Sequence, residues 1–302
     1  MIKIVSRTHI QVLAVIGLLA VTAVWGSTFF LIKDLIHHIS AISFLAIRFI
    51  VAALVICFFF GPRLVRASQR TWINGSILGS IYAAGQLFQT FGLHGTDAAV
   101  SGFITGMYVV LTPIFVWLLF RQKIGAITIA ATIIATTGLM VLSLRGFALG
   151  LHECITFIGS VFYALHIVYL GRWSKHDNVC DLALIQIIAI AAICALISVP
   201  MGLDLPRTAG QWMSIFYMAL IAGIGAMMMQ TWAQKYLSAS RAAIIMTMEP
   251  VFAALFAYCC GGETITARVL VGGSLVIVAM LMTELHSAYR LQKRIAHTSR
   301  EQ

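Results

Sequence analysis

The sequence predicts an all-α, polytopic membrane protein with ten transmembrane helices, arranged as two inverted five-helix repeats. Three observations predict this fold: an apolar composition, ten apolar runs of helical length, and a second half that resembles the first. Apolar residues make up 61% of the 302 residues and charged residues only 10%, against ~45–50% and ~25% in soluble domains. The mean hydropathy is +0.97. Such a chain cannot cover itself with polar surface in water, so lipid must be its solvent.

The length of the apolar runs indicates helices. Only helices and closed barrels satisfy their backbone in a bilayer, and these runs suit helices of ~20 residues better than alternating strands of ~10. Lys3 and Arg7 precede the first run in the manner of a signal peptide, but this run has a partner in the second half, so we interpret it as a span. The predicted spans lie near 11–32, 41–60, 73–93, 98–120, 125–143, 150–170, 181–200, 211–234, 241–260 and 266–287.

The second half of the chain matches the first at a nearly constant offset. A shift of 141 residues pairs Gln89-Thr90-Phe91 with Gln230-Thr231-Trp232, and a shift of 138 pairs Arg48 with Gln186. Five spans are an odd number, so the two copies enter the membrane in opposite directions, as in many transporters. The predicted domains are residues 1–145, residues 146–290 and a basic cytoplasmic tail, 291–302.

The fourth helix of each copy contains one proline, and the two prolines do not lie at equivalent positions. Pro113 lies about one turn away from the position that Pro250 would occupy under the repeat. Because proline removes a helical hydrogen bond and bends the helix, we expect the two copies to bend these helices differently.

The distribution of charge predicts orientation. A net charge of +10 could indicate a nucleic-acid partner, but that requires the basic residues to cluster on one exposed face. They lie instead in short loops and tails, fifteen on one side of the membrane and four on the other, with Arg48 inside a span. The positive-inside rule therefore places both termini in the cytoplasm, and we expect no nucleic-acid partner.

The sequence predicts no metal and no cofactor. The six cysteines have no metal-ligand or haem spacing, and we interpret them as small buried apolar residues. His152 and His166 are interpreted as hydrogen-bonded packing residues because neither has a second ligand at a suitable spacing.

Polar side chains form stripes on four helices. Such residues are unfavourable in hydrocarbon and face the bundle interior or a cavity, so the stripes are expected to line one cavity. Bonding from helix to helix is the alternative. The stripes contain Tyr82, Gln86 and Gln89; Ser101, Thr105, Tyr108 and Thr112; Met227, Gln230 and Gln234; and Met246 and Glu249.

Glu249 and Arg48 are charged residues well inside apolar spans. The Glu249 carboxylate is expected to bind a coupling proton, a cationic substrate or a structural partner. The Arg48 guanidinium could hold a substrate carboxylate with two hydrogen bonds. It could equally pair with an internal acid or extend to the outer membrane surface.

Several segments of the sequence resemble the EamA-like, ten-helix bacterial members of the drug/metabolite transporter superfamily. The resemblance covers nearly the whole chain, and a loop acid, Glu263, also matches. The first copy departs from it by having RQKI where an acid is common, which we interpret as topological. The matching segments are WGSTFFLIK, AIRF, TDAAVSGFITGMYVVLTP and SASRAAIIMTMEPVFAALFAYCCGGETIT.

The resemblance implies helices 1–4 and 6–9 around a central cavity, with helices 5 and 10 at the periphery, where two copies could form a homodimer. It also implies a bacterial inner-membrane protein with a small-molecule substrate, surrounded by membrane lipid. The residues that match its cavity positions are Trp25, Tyr82, Gln86, Tyr108, Tyr163, Gln230 and Glu249, to which we add Arg48.

The sequence thus predicts a secondary transporter that exports or exchanges amino acids or related metabolites by alternating access. Efflux of cationic or amphipathic drugs is the alternative, with Glu249 and the aromatic residues as a cation site. The chain has no P-loop pattern for ATP hydrolysis and no HExxH or GxSxG motif, so we do not expect an enzyme. A scaffold or sensor that transports nothing is a further alternative.

Overall fold

The protein is helical throughout the part that its computed structural model describes, which comprises residues 2–36, 38–93, 98–143, 150–261 and 266–298. The first half contains six helices: α1 (Ile2–Ile36), α2 (Ala41–Val65), α3 (Gln69–Leu93), α4 (Ala98–Gly106), α5 (Tyr108–Phe120) and α6 (Ala126–Ser143). Glu263, the loop acid that matches the family resemblance, lies outside the described residues.

The second half contains seven helices and two short irregular turns of helix. The helices are α7 (Leu151–Trp173), α8 (Val179–Ser198), α9 (Ala209–Ala219), α10 (Ala226–Tyr236), α11 (Ala239–Met246), α12 (Glu249–Gly261) and α13 (Ala267–Thr298). A 3₁₀ turn, Val199–Met201, follows α8, and a π-helical turn, Leu220–Gly225, joins α9 to α10.

The thirteen helices form ten rods, because α4 continues into α5, α9 into α10 and α11 into α12. Within the described residues, seven segments are long and apolar enough to cross a membrane, and Ile104–Phe120 and Ala126–Val141 are shorter apolar segments. The helix α3 carries polar residues of the interior along its length. The prediction of an all-helical, ten-span membrane protein is confirmed.

Helix boundaries in the two halves coincide at the offsets found in the sequence. At 141 residues the starts of α4, α5 and α6 fall on those of α11, α12 and α13, and at 138 residues the start of α2 falls on that of α8. Each copy contributes five rods, so the copies cross the membrane in opposite senses. Both chain termini therefore lie at one end of the bundle, called here the terminal end, and the other end is called the opposite end.

The fourth rod of each copy is interrupted at the same place, and the expectation that the two copies bend these helices differently stays a prediction. The break falls at Met107 in the first copy and at Thr247–Met248 in the second, and Met107 pairs with Met248 at the offset of 141. In both copies the last turn before the break is closed by a hydrogen bond to the third preceding residue. Met107 N–H donates to the Ile104 carbonyl and Met248 N–H donates to the Ile245 carbonyl, each at 3.1 Å. The position of the break is thus common to the two copies, although only the second has a proline, Pro250, close behind it.

Side-chain contacts tie the rods together at the terminal end. Arg63 of α2 pairs with Asp181 of α8, and Arg241 of α11 pairs with Glu284 of α13, with Arg241 Nε at 2.8 Å from Glu284 Oε1. Such contacts between loops and helix ends fix which rods are neighbours.

Asp177, in the turn after α7, connects to α3 by three contacts. Its carboxylate accepts a 2.7 Å hydrogen bond from Asn74 Nδ2 and a longer one from Thr71, and Arg70 lies 3.5 Å away. The loop after α7 is therefore fixed against the start of α3.

The helices α6 and α13 pack against each other outside the other eight rods, as the family resemblance implies. Gly138 of α6 lets α13 approach, since a methyl group there would lie 2.8 Å from the Gly272 carbonyl oxygen. Apolar side chains such as Ile133 and Leu270 point outward and are exposed on this pair, as expected for helices in lipid. Homodimerisation through this surface stays a prediction.

Cysteine burial differs from the expectation. Of the five cysteines whose side chains are described, only Cys194 is buried, whereas Cys57, Cys154 and Cys259 are exposed on the outside of the bundle and Cys180 is intermediate; all five are free thiols. A small apolar side chain is as compatible with lipid as with the protein interior, so the apolar context did not predict burial.

Small residues set the distance between α3 and α8. A methyl group at Gly79 would lie 2.5 Å from the Gln186 carbonyl oxygen and 2.7 Å from Ala189 Cβ, and one at Gly75 would lie 2.7 Å from Ile185 Cγ2. The two glycines thus allow α3 and α8 to pack closely. For Gly102, no described atom lies within 4 Å of such a methyl group, so that glycine does not bring helices together.

We expect Gly79→Ala to lower the free energy of unfolding by roughly 1–3 kcal/mol, because the added methyl meets backbone that cannot move aside. Thermal unfolding of detergent-purified protein measures this. Gly61→Ala is the matched control, since a methyl group there meets nothing within 4 Å and alanine favours a helix. Equal stability of the two variants would contradict the close contact of α3 with α8.

Candidate functional site

A cavity of about 390 Å³ lies at the centre of the bundle and extends toward the opposite end. Its deep part is formed by the middle of α1, α3 and α7 and by the fourth rod of each copy, α4–α5 and α11–α12. Its outer part is formed by Ile32, Ile36, Phe44, Leu93 and Ser101, which lie near the helix ends on the side away from the termini. All eight residues that the sequence selected line this cavity: Trp25, Arg48, Tyr82, Gln86, Tyr108, Tyr163, Gln230 and Glu249.

Gly26 brings α1 against the start of α12. A methyl group at Gly26 would lie 2.8 Å from the Ala253 backbone nitrogen and 2.9 Å from the Glu249 carbonyl oxygen, so only glycine allows this approach. The neighbouring Trp25 consequently shares the cavity with Glu249. The glycine of the Trp-Gly pair in the first span is thus required by the close contact of α1 with α12.

Glu249 is the first residue of α12 and borders the break in the ninth rod. Pro250 follows within the first helical turn, where its missing N–H has no helical role. The Glu249 side chain lines the cavity, and its carboxylate has no hydrogen bond or ion pair with another described residue. The structural-pair alternative for Glu249 therefore has no support within the described chain.

Arg48 extends into the cavity from α2 and is 9% exposed. Its Nη2 donates a 3.3 Å hydrogen bond to Gln86 Oε1, and its guanidinium lies 4.4 Å from the Phe49 ring centroid and 5.3 Å from that of Phe44. Its buried Nε has no partner among the described residues. Arg48 neither pairs with an acid of the described chain nor extends to the surface. Within the described residues, the structure therefore excludes an internal ion pair and a contact with the outer membrane surface as the role of Arg48.

Two hydrogen-bonded chains orient the glutamines of α3. Gln86 accepts from Arg48 and donates to the Tyr82 hydroxyl at 3.2 Å. Gln89 accepts from the Tyr163 hydroxyl at 2.7 Å and donates to Thr105 Oγ1 at 3.1 Å. Because each amide donates on one side and accepts on the other, its orientation is fixed.

Aromatic residues form much of the cavity wall. The Tyr82 ring meets the rings of Tyr163 and His166 edge to face, with centroids 5.5 Å and 5.0 Å apart. Trp25 Nε1 donates to the Ala222 carbonyl at 2.9 Å, in the π-helical turn, where the usual helical bonding is altered. These contacts hold polar tips and apolar ring faces toward one space.

His166 lines the cavity and is hydrogen-bonded within the bundle. Its Nε2 lies 2.8 Å from Gln186 Oε1, and Gln186 Nε2 donates to the Leu182 carbonyl at 3.0 Å. The interpretation of His166 as a hydrogen-bonded packing residue is confirmed. Within the described residues, no three His, Cys, Asp or Glu side chains are placed to hold a metal ion.

Some residues were not selected from the sequence although they line the cavity. Thr28 lies one turn beyond Trp25, so it could have been predicted as a residue of the same helix face. Ala222 contributes a backbone carbonyl that is positioned by the π-helical turn, and its side chain gives no indication of this role. Conversely, three stripe residues do not line the cavity: Thr112, Met227 and Gln234.

The end of the bundle that carries the termini is closed. Three residues of the open part, Ile32, Ile36 and Leu93, correspond through the repeat offsets to Leu170, Ser174 and Gln234. Each of these counterparts is 0% exposed. Two of them carry polar atoms without a partner among the described residues, Ser174 Oγ and both amide atoms of Gln234. Equivalent parts of the two copies are therefore in different environments.

Comparisons with known proteins agree with this fold. The model of the EamA-like transporter family matches residues 12–144 and again residues 151–285. An uncharacterized transporter of Archaeoglobus fulgidus is 31% identical over 271 residues, which is 89% of this chain and 85% of that protein. A solved crystal structure shares the fold with a TM-score of 0.75 at 16% identity, over 94% of this chain and 98% of the other.

Proposed function

This chain belongs to the EamA-like transporter family, and from that premise we propose that it exports or exchanges amino acids or related small metabolites by alternating access. The family and the transporter relative indicate a multi-pass membrane transporter and not an enzyme. The substrate class, the coupling and the mechanism are our proposal.

One observation carries the substrate proposal: Arg48 and Glu249 line the same cavity, and neither is neutralised by an ion pair with a described residue. Charged side chains without a partner are unfavourable at membrane depth. They are retained where a bound ligand or ion neutralises them. A cavity with one positive and one negative group is complementary to a small molecule that carries both charges.

An amino acid has this charge distribution. Its carboxylate would bind the Arg48 guanidinium, whose Nε is free, and its ammonium group would bind the Glu249 carboxylate. The hydroxyl groups of Tyr82 and Tyr108 and the amide of Gln230 supply further polar contacts. Aromatic rings in the same wall suit an apolar substrate side chain.

Glu249 also offers a means of coupling to protons. A carboxylate in the cavity that has no cationic partner binds a proton when the substrate ammonium leaves. The proton and the ammonium group then compete for one site, which is sufficient to exchange one for the other across the membrane.

The inverted repeat supports alternating access. If the two copies exchange conformations, Leu170, Ser174 and Gln234 take the environment that Ile32, Ile36 and Leu93 have here, and the terminal end opens. The unpartnered atoms of Ser174 and Gln234 then gain water. By the positive-inside rule we place the terminal end, and both termini, in the cytoplasm.

Efflux of cationic amphipathic drugs is the second candidate. It is favoured by Glu249 together with the rings of Trp25, Tyr82 and Tyr163, which can form a cation site. Arg48 in the same cavity opposes it, because a second positive charge would be repelled there. We therefore rank zwitterionic substrates first.

We expect Glu249→Gln to abolish uptake driven by a pH gradient, because glutamine cannot bind and release a proton. The measurement is uptake of a mixed pool of radiolabelled amino acids and common metabolites into proteoliposomes, with and without the gradient. Glu153→Gln is the control, since that acid caps α7 outside the cavity, where its Oε2 accepts from Gly150 N–H at 2.9 Å. Unchanged pH dependence in Glu249→Gln would rule out the coupling role.

Arg48→Gln should raise the KM for an amino acid by roughly tenfold or more, since a hydrogen bond to a charged group is worth about 1.5–3 kcal/mol. A cationic dye without a carboxylate should be transported no worse. Arg48→Lys keeps the charge but not the two-bond geometry, so we expect an intermediate KM. A matching loss for the dye would favour a structural role of Arg48.

Cysteine labelling tests alternating access. In a variant without native cysteines, Ile36→Cys should react with a water-soluble maleimide at least about tenfold faster than Ser174→Cys, because the latter reacts only in the alternate state. A transported substrate should raise the labelling rate of Ser174→Cys. Two results would contradict the mechanism: equal rates without substrate, or no labelling of Ser174→Cys during active transport.

A further inference from the structure

A second cavity, of about 450 Å³, lies at the terminal end, apart from the transport cavity. Three segments form it: the end of α5 with the loop to α6, the end of α7, and the turn between α10 and α11. Its polar lining is basic and hydroxylic, with Lys123, Arg172, Lys175, His176, Thr128, Ser238 and Ser240.

The cations of this cavity converge on one space, whereas the other unpaired cations of the terminal end that are described, such as Arg66 and Lys235, lie outside its lining. Arg63, Arg70 and Arg241 each pair with an acid. Lys123, Arg172 and Lys175 form no ion pair with any described residue, and no acid is among the described residues that line the cavity. Three positive charges therefore meet at one place without internal compensation.

Asp177 is the acid nearest to these residues in the sequence, and it faces another way. It is 8% exposed, and its carboxylate is occupied by Asn74, Thr71 and Arg70 of α3. It does not neutralise the neighbouring Lys175 and His176. The basic character of the cavity is thus maintained by the packing of the loop after α7.

Two local features hold the basic groups in place. The Arg172 guanidinium lies 4.4 Å from the Phe120 ring centroid, a distance typical of a cation–π contact. Arg121 ends α5 with φ of 54°, the one non-glycine residue with positive φ in the described chain. This left-handed residue terminates the helix and directs the following Gln122–Gly125 segment along the cavity.

The cavity adjoins the lipid-facing surface. Val116 and Phe120 form its apolar wall, and on the same helix Trp117, Leu118 and Leu119 are exposed on the outside of the bundle. A ligand there can place an anionic group among the cations while its apolar part follows α5 into the bilayer. Basic pockets between helix ends are suited to phospholipid headgroups.

We propose that this cavity binds the phosphate of an anionic phospholipid headgroup, with Lys123, Arg172 and Lys175 as the charged contacts. Ser238, Ser240 and Thr128 supply neutral hydroxyl donors. The acyl chains lie against the outer face of α5. The site shares no lining residue with the central cavity.

The experiment is a thermal-unfolding titration of the full-length protein in detergent with three probes: phosphatidylglycerol, phosphatidylcholine and inorganic phosphate. Phosphatidylglycerol should raise the unfolding temperature more than phosphatidylcholine does. The double variant Lys123→Gln/Lys175→Gln should bind it about 30-fold more weakly, since each basic residue near an anionic surface contributes roughly a fivefold factor. Both side chains are exposed, so the variant should fold normally.

The control is Arg66→Gln/Lys235→Gln, which removes two charges from the terminal end but none from the cavity lining. It should keep the response to phosphatidylglycerol. An equal loss in both variants would show general attraction to a basic surface and would overturn the site. An equal response to inorganic phosphate would replace the lipid by a free anion, and equal responses to both lipids would remove the requirement for negative charge.

Discussion

The structure depends on one constraint of the bilayer: polar groups at membrane depth must find partners inside the protein or face a cavity. The interrupted rods show its effect. Met107 and Thr247–Met248 break their helices next to residues that line the central cavity, Tyr108 and Glu249. The same constraint directs Gln86 and Gln89 inward and leaves apolar residues such as Ile133 on the outside.

The repeat explains the architecture, and the differences between its copies explain the chemistry. Arg48 of the first copy corresponds to Gln186 of the second, and Glu249 of the second corresponds to Tyr108 of the first. Each copy thus contributes one charged residue, and the two charges occupy positions that the repeat does not relate. Gln186 bonds to His166 instead. A cavity of symmetric origin has become electrostatically polar, which suits a substrate with two unlike ends.

Much of the fold and all eight selected cavity residues could be predicted from the sequence, because polar residues inside apolar spans are few and have little choice of environment. Gln234 is a residue whose environment was not predicted. It continues the stripe of Met227 and Gln230, yet it is buried without a partner, because its half of the bundle is closed. The stripe predicts that Gln234 faces the interior but does not say whether that part of the interior is open.

Other features depended on tertiary contacts that local sequence does not encode. The prolines did not locate both breaks, since Pro113 lies within α5 and the break of that rod comes at Met107. Cysteine burial could not be predicted either, because lipid and protein interior accept the same small side chain. The positive-inside rule located the basic residues on one side, but only the packing of Asp177 against α3 shows which cations are left without an acid.

The basic cavity and the closed end of the central cavity share their structural elements. Ser174 ends α7 beside Arg172 and Lys175, and Ala242, also fully buried, lies in α11 just after Ser240. An anionic headgroup bound as proposed would bridge α5, α7 and α11 and would stabilise the arrangement in which these helix ends are close together. Opening of the terminal end would separate them, so bound lipid would favour the closed state by its difference in affinity for the two states. Anionic lipid would then influence the transport cycle through the ends of the helices that move, without contact with the substrate.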